Sequence, residues 1–419
     1  MVLLMKTVFT NLMPSMNGME WFNVSPYPKA APRFERVSSG EGVLVQHTNG
    51  KRNCFGRWIA PVAGVAGGKT YQFSVKCRAY DLRNNKSNLH VMLTWRGADM
   101  QDIQRDYVPG CETGDGIIFE RVLPAPEGSV SVLAELCFKW SDTGRAEWSC
   151  GQLFETSEVA ERHCRIASAF TALPGGKEQN LHAILKLIDK AAEAKPDILC
   201  LGETVLSVGT PFFEAAVTVD GPEVEAICKK AREYNMYIVV GLNLLEDEVY
   251  YNVAMLVDRA GKVAGIYRKL QIPLAEAESG YAPGYDSPVF ETDFGKIGFL
   301  ICWDHGFPEA VRLLCEKGAE ILFVPSMWNA PIQAKARGAD NGVFVVVSAP
   351  WHSGDPCFVV DPFGEIIASC KGGEENPSGY CVADVELEKQ YKSIWFSVGP
   401  CYGEHRTVLA VERRGDLFD

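Results

Sequence analysis

The sequence predicts an all-β domain followed by an α/β domain, and two observations carry this prediction. Between about residues 19 and 156, apolar and polar residues alternate, and Gly, Asn, Asp and Pro separate the short runs. From about residue 163 onward, short apolar runs alternate with segments whose apolar residues have helical spacing. Period two indicates half-buried strands, whereas strand–helix–strand alternation indicates a parallel sheet covered by helices.

The clearest strand of the first region spans residues 130–140, where every even-numbered residue is apolar. Trp140 falls on this apolar face, so we expect it in the core. Many short strands without helical segments between them favour a β-sandwich or jelly roll. Further strands are predicted at 42–47, 69–77, 89–95 and 117–122.

The second region begins with a strand at 165–170, a helix at 178–194 and a strand at 197–201, which together form a βαβ unit. The same alternation returns with helices at 222–234 and 308–317 and strands at 237–241, 297–301 and 321–324. We therefore predict an N-terminal segment (1–18), a β-sandwich domain (19–156) and an α/β domain (157–419).

Composition excludes several classes of function. The 419 residues carry 41 basic and 53 acidic side chains, and 41 − 53 = −12 disfavours a nucleic-acid partner. No apolar run reaches the ~18 residues of a membrane span, and the first residues lack the pattern of a secretory signal. We expect a cytoplasmic protein that binds no membrane.

The 14 cysteines contain no CxxC pair, so most are expected to be buried thiols in a reducing compartment.

Three polar residues stand where predicted strands end: Glu203, Lys269 and Cys302. Ligands of open parallel sheets bind beyond the carboxyl ends of the strands, so these positions are candidates for a site. Cys302 lies between an apolar strand and a helix that starts near Pro308. Because a helix start is electropositive, we expect it to favour the thiolate.

These three residue types suffice for acyl transfer without histidine. A glutamate can take the thiol proton and later activate water, a cysteine can attack a carbonyl or nitrile carbon, and a lysine ammonium can stabilise the oxyanion. Taken singly, Glu203 and Lys269 are better explained as solvated surface residues. Spacing alone does not show that the three meet.

From about residue 163 to its end, the chain resembles the nitrilase, or carbon–nitrogen hydrolase, superfamily. No single matching block is specific, but their order along the chain is. The blocks are Leu-Cys-Leu-Gly-Glu at 199–203, Tyr-Arg-Lys-Leu at 267–270, Gly-Lys-Ile-Gly-Phe-Leu-Ile-Cys-Trp-Asp at 295–304, Phe-Pro-Glu at 307–309, Gly-Ala-Glu-Ile at 318–321 and Asp-Pro-Phe-Gly at 361–364.

The resemblance implies an αββα sandwich that forms homodimers or higher homo-oligomers. It implies Glu203 as general base, Lys269 as oxyanion-stabilising cation and Cys302 as nucleophile, with the backbone N–H of Trp303 completing the oxyanion hole. A second active-site acid is expected after the lysine. Glu276 is preferred for this role, and Glu278 remains an alternative.

The chain departs from the family pattern at two places. Residues 337–341 read Arg-Gly-Ala-Asp-Asn instead of Arg-Ala-x-Glu-Asn, and Cys357 stands where a small hydroxyl residue is common. Neither departure touches the triad. Asp304, which follows Trp303, resembles the amidase side of the family, so a small amide or N-carbamoyl substrate is preferred over a nitrile.

Trp328 and His352 are expected at the same edge of the sheet, where they would help to bind substrate. A surface position is an equally good interpretation of His352. No HExxH-type spacing is present, so we expect no metal and no cofactor.

Two competing hypotheses remain open. The same triad can pass the acyl group to an amine instead of water. Alternatively, the chain is a glycan-binding protein with an inactive hydrolase domain, since aromatic side chains of a β-sandwich can stack on a sugar ligand. The tryptophans concerned are Trp21, Trp58, Trp95, Trp140 and Trp148.

Overall fold

A computed structural model describes residues 10–38, 40–157, 161–394, 402–414 and 417 of the chain. They fall into two compact units. One comprises the described residues up to 157 together with those from Gln390 onward, and the other comprises Glu161–Lys389. No helix in these described residues is both long and apolar enough to cross a membrane.

The N-terminal part of the first unit consists of two antiparallel sheets that enclose one hydrophobic core. One sheet has the strand order β1-β4-β10-β6-β7, and the other has the order β2-β3-β11-β5-β9-β8. The strands are β1 (Phe22–Val24), β2 (Arg33–Val37), β3 (Val43–His47), β4 (Phe55–Ala63), β5 (Thr70–Tyr80), β6 (Leu89–Arg96), β7 (Asp102–Val108), β8 (Gly110–Thr113), β9 (Gly116–Pro124), β10 (Ser131–Lys139) and β11 (Arg145–Thr156). The short helices are a 3-10 turn at Pro28–Ala30 and α1 (Asn85–Asn88).

The predicted all-β architecture is confirmed, and the alternation in β10 shows why it forms. Val132, Ala134, Leu136 and Phe138 all point into the core between the sheets. Trp140 was wrongly placed in the core: β10 ends at Lys139, the backbone of Trp140 takes a positive φ of 60°, and its side chain is 39% exposed. The chain turns away from the sheet at this residue, so the alternation no longer sets its direction.

The other tryptophans named above are core residues. Trp21, Trp58, Trp95 and Trp148 are at most 1% exposed. Their faces are therefore not available for stacking on a sugar.

The second unit consists of two mixed sheets with helices on their outer faces. One sheet has the order β16-β15-β14-β13-β12-β23, and the other has the order β17-β18-β19-β20-β21-β22. The strands are β12 (His163–Thr171), β13 (Ile198–Cys200), β14 (Tyr237–Glu246), β15 (Val249–Val257), β16 (Val263–Arg268), β17 (Val289–Glu291), β18 (Lys296–Phe299), β19 (Ile321–Pro325), β20 (Phe344–Ser348), β21 (Cys357–Val360), β22 (Ile366–Cys370) and β23 (Ser378–Glu386). The helices are α2 (Lys177–Ala192), α3 (Phe212–Ala215), α4 (Pro222–Tyr234), α5 (Leu274–Ser279), α6 (Pro308–Glu316) and α7 (Pro331–Asn341), with a 3-10 turn at Cys302–Gly306.

The two sheets of this unit face each other and are joined by paired hydrogen bonds. Ser168 on β12 donates to the Val347 carbonyl, and Ser348 on β20 donates to the Ala169 carbonyl, both at 2.7 Å. Helices α2 and α4 pack on the first sheet, and α6 and α7 pack on the second. The layers are therefore αββα, as the family resemblance implies.

Strand direction brings the candidate residues to one edge of the layers. Strands β12, β13 and β14 are parallel, and so are β18, β19 and β20. Strand β16 is antiparallel to β15, which is antiparallel to β14, so β16 runs in the direction of β13. The carboxyl ends that precede Glu203 and Lys269 consequently lie at the same edge of their sheet.

The C-terminal end of the chain differs from the predicted boundary, which assigned everything after 157 to the α/β domain. Strand β25 (Tyr402–Glu404) pairs with β7, and β24 (Lys392–Ile394) pairs with β25. Helix α8 (His405–Glu412) packs Val408 and Val411 against Met92 and Tyr107. These elements bury apolar surface of the first unit, and for this reason they group with it.

Candidate active site

Glu203 follows β13 and is held between strands. The Gly241 N–H donates to the Gly202 carbonyl there. A Cβ on Gly241 would lie 2.5 Å from the Glu203 Cα, so only glycine permits this approach. The Glu203 side chain is 5% exposed. Its Oε1 accepts from Asn252 Nδ2 at 2.8 Å, and its Oε2 accepts from the Met327 backbone N–H at 2.8 Å. The carboxylate is thus buried in a fixed orientation.

Lys269 is completely buried between two carboxylates. Its Nζ donates to Glu203 Oε1 at 3.1 Å and to Glu276 Oε1 at 2.5 Å. Burial by itself would lower the pKa of the ammonium, but the charges of Glu203 and Glu276 outweigh burial and hold the pKa above its ordinary value. The lysine therefore remains a cation at neutral pH.

The short helix α5 determines which acid after the lysine reaches it. Glu276 turns inward, where its Oε2 also accepts from Asn252 Nδ2 at 3.4 Å, whereas the Glu278 side chain is exposed. Asn252 therefore binds both carboxylates that flank Lys269. Of the two candidates, the structure brings Glu276 to the lysine.

Cys302 begins the 3-10 turn after β18 with a φ of +45°, a left-handed conformation that a non-glycine residue adopts only under constraint. Burial, reinforced by the charge of Glu203, raises the pKa of its thiol to about 11. The Ser326 hydroxyl, Lys269 and the Met327 N–H act in the opposite direction with smaller effect. The expectation that the helix start favours the thiolate is therefore wrong for the free protein, because burial dominates.

Asp304 links the cysteine turn to the lysine segment. It is completely buried, and its Oδ2 accepts from the Tyr267 hydroxyl at 2.8 Å and from the Ile301 N–H at 2.9 Å. Its Oδ1 accepts from the Gln271 N–H at 2.7 Å. Burial raises the pKa of this carboxyl to about 6 against these bonds. One side chain thus joins the segment before Cys302 to the segment that contains Lys269.

The predicted substrate-binding aromatics lie beside the cysteine turn. Trp303 is 45% exposed and contacts Trp328 with ring centroids 6.1 Å apart. Trp328 in turn stacks on the buried His305 ring at 5.3 Å. Arg337 donates to the His305 carbonyl at 3.1 Å, so this arginine of the altered family block supports the same turn.

His352 lies apart from these aromatics, at a cavity of about 180 Å³ beside Glu203. The cavity is formed at the carboxyl ends of β12, β13, β19 and β20, and Ser326 and Met327 line it together with Glu203. The structure therefore gathers Glu203, Lys269, Glu276 and the Cys302 turn, and it places His352 on the cavity next to them.

Several polar residues of this site were not found from the sequence. Asn243 on β14 and Asn252 on β15 are cross-strand partners, and Tyr281 donates to Asn243 Oδ1 at 2.8 Å. The available signal was a single polar residue within the apolar run of β15. Asp304 was noted only as a family feature, and His305 had no signal of its own.

Cys357, the other departure from the family pattern, is buried on β21 opposite Cys370. It is distant in the chain from the gathered residues and contacts the Cys381 thiol. In the part of the chain that the structure describes, no group of three or more His, Cys, Asp or Glu side chains could hold a metal ion.

Layered sheets with polar groups collected at the strand ends define the chain as an α/β enzyme, and comparison with known proteins specifies which kind. The model of the carbon-nitrogen hydrolase family matches residues 165–392, more than half of the chain. The chain belongs to the carbon-nitrogen hydrolase family. The resemblance seen in the sequence is confirmed.

Relatives and solved structures agree with this assignment. The chain is 31% identical over 238 residues to the omega-amidase NIT2 of Xenopus tropicalis, an alignment that covers 51% of this chain and 84% of that protein. It is 29% identical over 273 residues to a hydrolase of Schizosaccharomyces pombe, covering 58% and 83%. An amidase structure from Nesterenkonia sp. has a TM-score of 0.50 at 23% identity, covers 63% of this chain and 98% of that chain, and supports the fold.

Proposed function

We propose that this protein hydrolyses a small amide through a thioester on Cys302. The observation that carries the proposal is the completely buried Lys269 ammonium, held by Glu203 and Glu276 next to a cysteine on a strained turn. Such a group costs stability and is retained where a developing negative charge must be stabilised. Amidases and omega-amidases among the similar proteins favour an amide over a nitrile.

The residues suit a two-step reaction. Glu203 takes the thiol proton as the Cys302 sulfur attacks the carbonyl carbon, and the oxyanion is stabilised by Lys269 and the Trp303 backbone N–H. The C–N bond then breaks, and Glu203 gives the proton to the departing ammonia. In the second step Glu203 takes a proton from water, the hydroxyl attacks the thioester, and the acid leaves as the thiol regains its proton.

The raised pKa of Cys302 explains why a base is needed. A thiol with a pKa of about 11 is protonated at neutral pH, and only the thiolate attacks a carbonyl efficiently. Glu276 does not take part in proton transfer under this proposal. It holds Lys269 in place and balances its charge.

The test is ammonia release from a panel of simple amides, with mass spectrometry of the intact protein to detect acylation. Cys302→Ala and Glu203→Gln are each expected to abolish turnover, and the wild-type protein quenched with acid during turnover is expected to carry the acyl group on Cys302. Cys315→Ala, which changes a half-buried cysteine on α6, serves as the matched control. Wild-type turnover by Cys302→Ala, or acylation of another cysteine, would overturn the proposal.

The same experiment shows whether water or an amine accepts the acyl group from the thioester. If added amines divert the thioester to N-substituted amides faster than water hydrolyses it, the reaction is acyl transfer. If neither product forms and no thioester appears, the interpretation of an inactive hydrolase domain gains support.

A further inference from the structure

The cavity beside Glu203 is apolar on nearly all sides. Ile184 and Leu187 of α2 form one wall, and Leu173 and Val205 form another, while Val208 lies at its mouth with 37% exposure. Its volume of about 180 Å³ is slightly larger than the roughly 150 Å³ of an apolar protein cavity that binds benzene. The space therefore suits a phenyl group or a short alkyl chain.

Two hydroxyl groups around the cavity already make hydrogen bonds within the protein. The Ser348 hydroxyl donates to the Ala169 carbonyl, and the Ser326 hydroxyl donates to the Trp328 carbonyl. Among the side chains that the structure describes around the cavity, none is a lysine or an arginine. A carboxylate placed there would lose its hydration beside the carboxylate of Glu203, and the imidazole of His352 would be its one basic neighbour among the described lining residues, so its burial is costly.

The cavity and the Cys302 thiol share three neighbouring residues, Glu203, Ser326 and Met327. Glu203 lines the cavity, and the Met327 N–H that orients Glu203 also faces the Cys302 thiol. Ser326, a further lining residue, faces the same thiol. A substituent that extends from a substrate at Cys302 past Ser326 and Met327 would therefore reach the cavity.

We propose that the cavity holds an apolar substituent of the substrate, so that the preferred substrates are amides with an uncharged alkyl or aryl group of up to about six carbons. Monoamides of dicarboxylic acids are then poor substrates. This inference rests on the proposed amide hydrolysis and adds the substrate class to it.

The first measurement is kcat/KM across two substrate series. One contains primary amides from acetamide to hexanamide, and the other contains acetamides with N-alkyl groups of one to five carbons. Because burying a methylene is favourable, kcat/KM is expected to rise about fourfold per added carbon in one series until the cavity is full. The series that rises identifies whether the acyl or the amine side enters the cavity. Succinamic acid, with a carboxylate at the chain end, should react at least about 100-fold more slowly than hexanamide.

The second measurement uses two matched substitutions. Val208→Trp places an indole at the cavity mouth, whereas Val219→Trp changes a valine of similar exposure, 39%, that does not line the cavity. Val208→Trp is expected to lower kcat/KM for the longest good substrate at least about tenfold, and Val219→Trp should leave it unchanged. Leu173→Ala enlarges the cavity and should shift the optimal substrate toward longer chains. This variant tests the inference even if Val208→Trp does not fold.

The outcomes separate this inference from the proposed function. If amides are hydrolysed through Cys302 but kcat/KM is flat in both series, or succinamic acid is preferred, the apolar-substituent inference is wrong and the hydrolysis stands. The inference is also wrong if Val208→Trp and Val219→Trp have the same kcat/KM and the optimal chain length is unshifted in Leu173→Ala. If no amide is hydrolysed at all, both fail.

Discussion

Each unit of this protein holds a cysteine close to a glutamate and a cation. In the second unit these are Cys302, Glu203 and Lys269. In the first unit, Cys137 lies on β10 two residues from Glu135, which pairs with Arg57, and burial together with Glu135 raises the pKa of Cys137 to about 12. The same residue types thus occur twice in one chain.

The difference lies in where the fold puts them. Cys137 is in the middle of a strand with neighbours on both sides, and its carboxylate partner is satisfied by Arg57 and by Thr94 at 2.7 Å. Cys302 follows a strand end on a left-handed turn, and its carboxylate partner lines a cavity. A set of residue types is therefore not a site until strand ends and open space bring a substrate to it.

The largest expected effect is a loss of kcat that occurs on substitution of Glu203 but not on substitution of Glu135. Glu203→Gln is expected to lower kcat by at least about 10³-fold, because general acid–base catalysis contributes on this order. Glu135→Gln should leave kcat within about twofold and lower the free energy of unfolding by about 1–3 kcal/mol, since Arg57 loses a charged partner. Ammonia release and urea unfolding of both variants provide the measurement. If the two variants lose activity equally, the contrast between the units is false.

Next in size is removal of the buried cation. Lys269→Met leaves Glu203 and Glu276 facing each other without a counter-charge, which is expected to cost about 3–5 kcal/mol of stability and to lower kcat about 10²–10³-fold. Arg57→Met is the matched change in the first unit, and it should affect unfolding alone. Retained turnover in a folded Lys269→Met protein would contradict the oxyanion role.

Much of this contrast was predictable from the sequence. Glu203, Lys269 and Cys302 each end an apolar run, and strand ends are recognisable from periodicity. Glu276 and Glu278 were not distinguishable, because only the turn of α5 decides which of two nearby acids meets the lysine. The pKa of Cys302 was predicted in the wrong direction, since burial is a property of the packed structure and not of the local turn.

The positions of the C-terminal segment and of Asn252 were likewise not predictable from local sequence patterns. The run from 402 to 412 has no local feature that assigns it to the first unit, because its partners on β6 and β7 lie about three hundred positions earlier in the chain. Asn252 gains its importance from two carboxylates on other elements. Periodicity reports local structure, whereas these contacts depend on tertiary structure.

A smaller effect concerns two buried histidines, His305 beside the site and His90 in the first unit. Burial lowers the pKa of His305 to about 4 and that of His90 to about 3. The unfolded chain takes up these protons first, so the stability that neutral His305 contributes is present above pH 6.5 and is lost as the pH falls toward 4. For His305 the loss amounts to about 3 kcal/mol.

Phenylalanine at either position removes this titration. His305→Phe and His90→Phe should each unfold with a weaker dependence on pH between 6.5 and 4 than the wild type, as measured by urea titration at several pH values. His305→Phe alone should also change KM, because only this ring stacks on Trp328. An unchanged pH dependence in both variants would mean that neither histidine titrates as stated.

The smallest expected effect tests the charge of Glu203 directly at Cys302. Because Glu203 raises the pKa of this thiol, Glu203→Gln should lower that pKa and increase the rate of alkylation by iodoacetamide at pH 8. Turnover and alkylation then change in opposite directions in one variant. Glu135→Gln, read at Cys137, is the control, since that thiol is buried within a sheet and should remain unreactive. A slower alkylation of Cys302 in Glu203→Gln would show that the carboxylate activates the thiol in the free protein and would remove the electrostatic argument for proton transfer during attack.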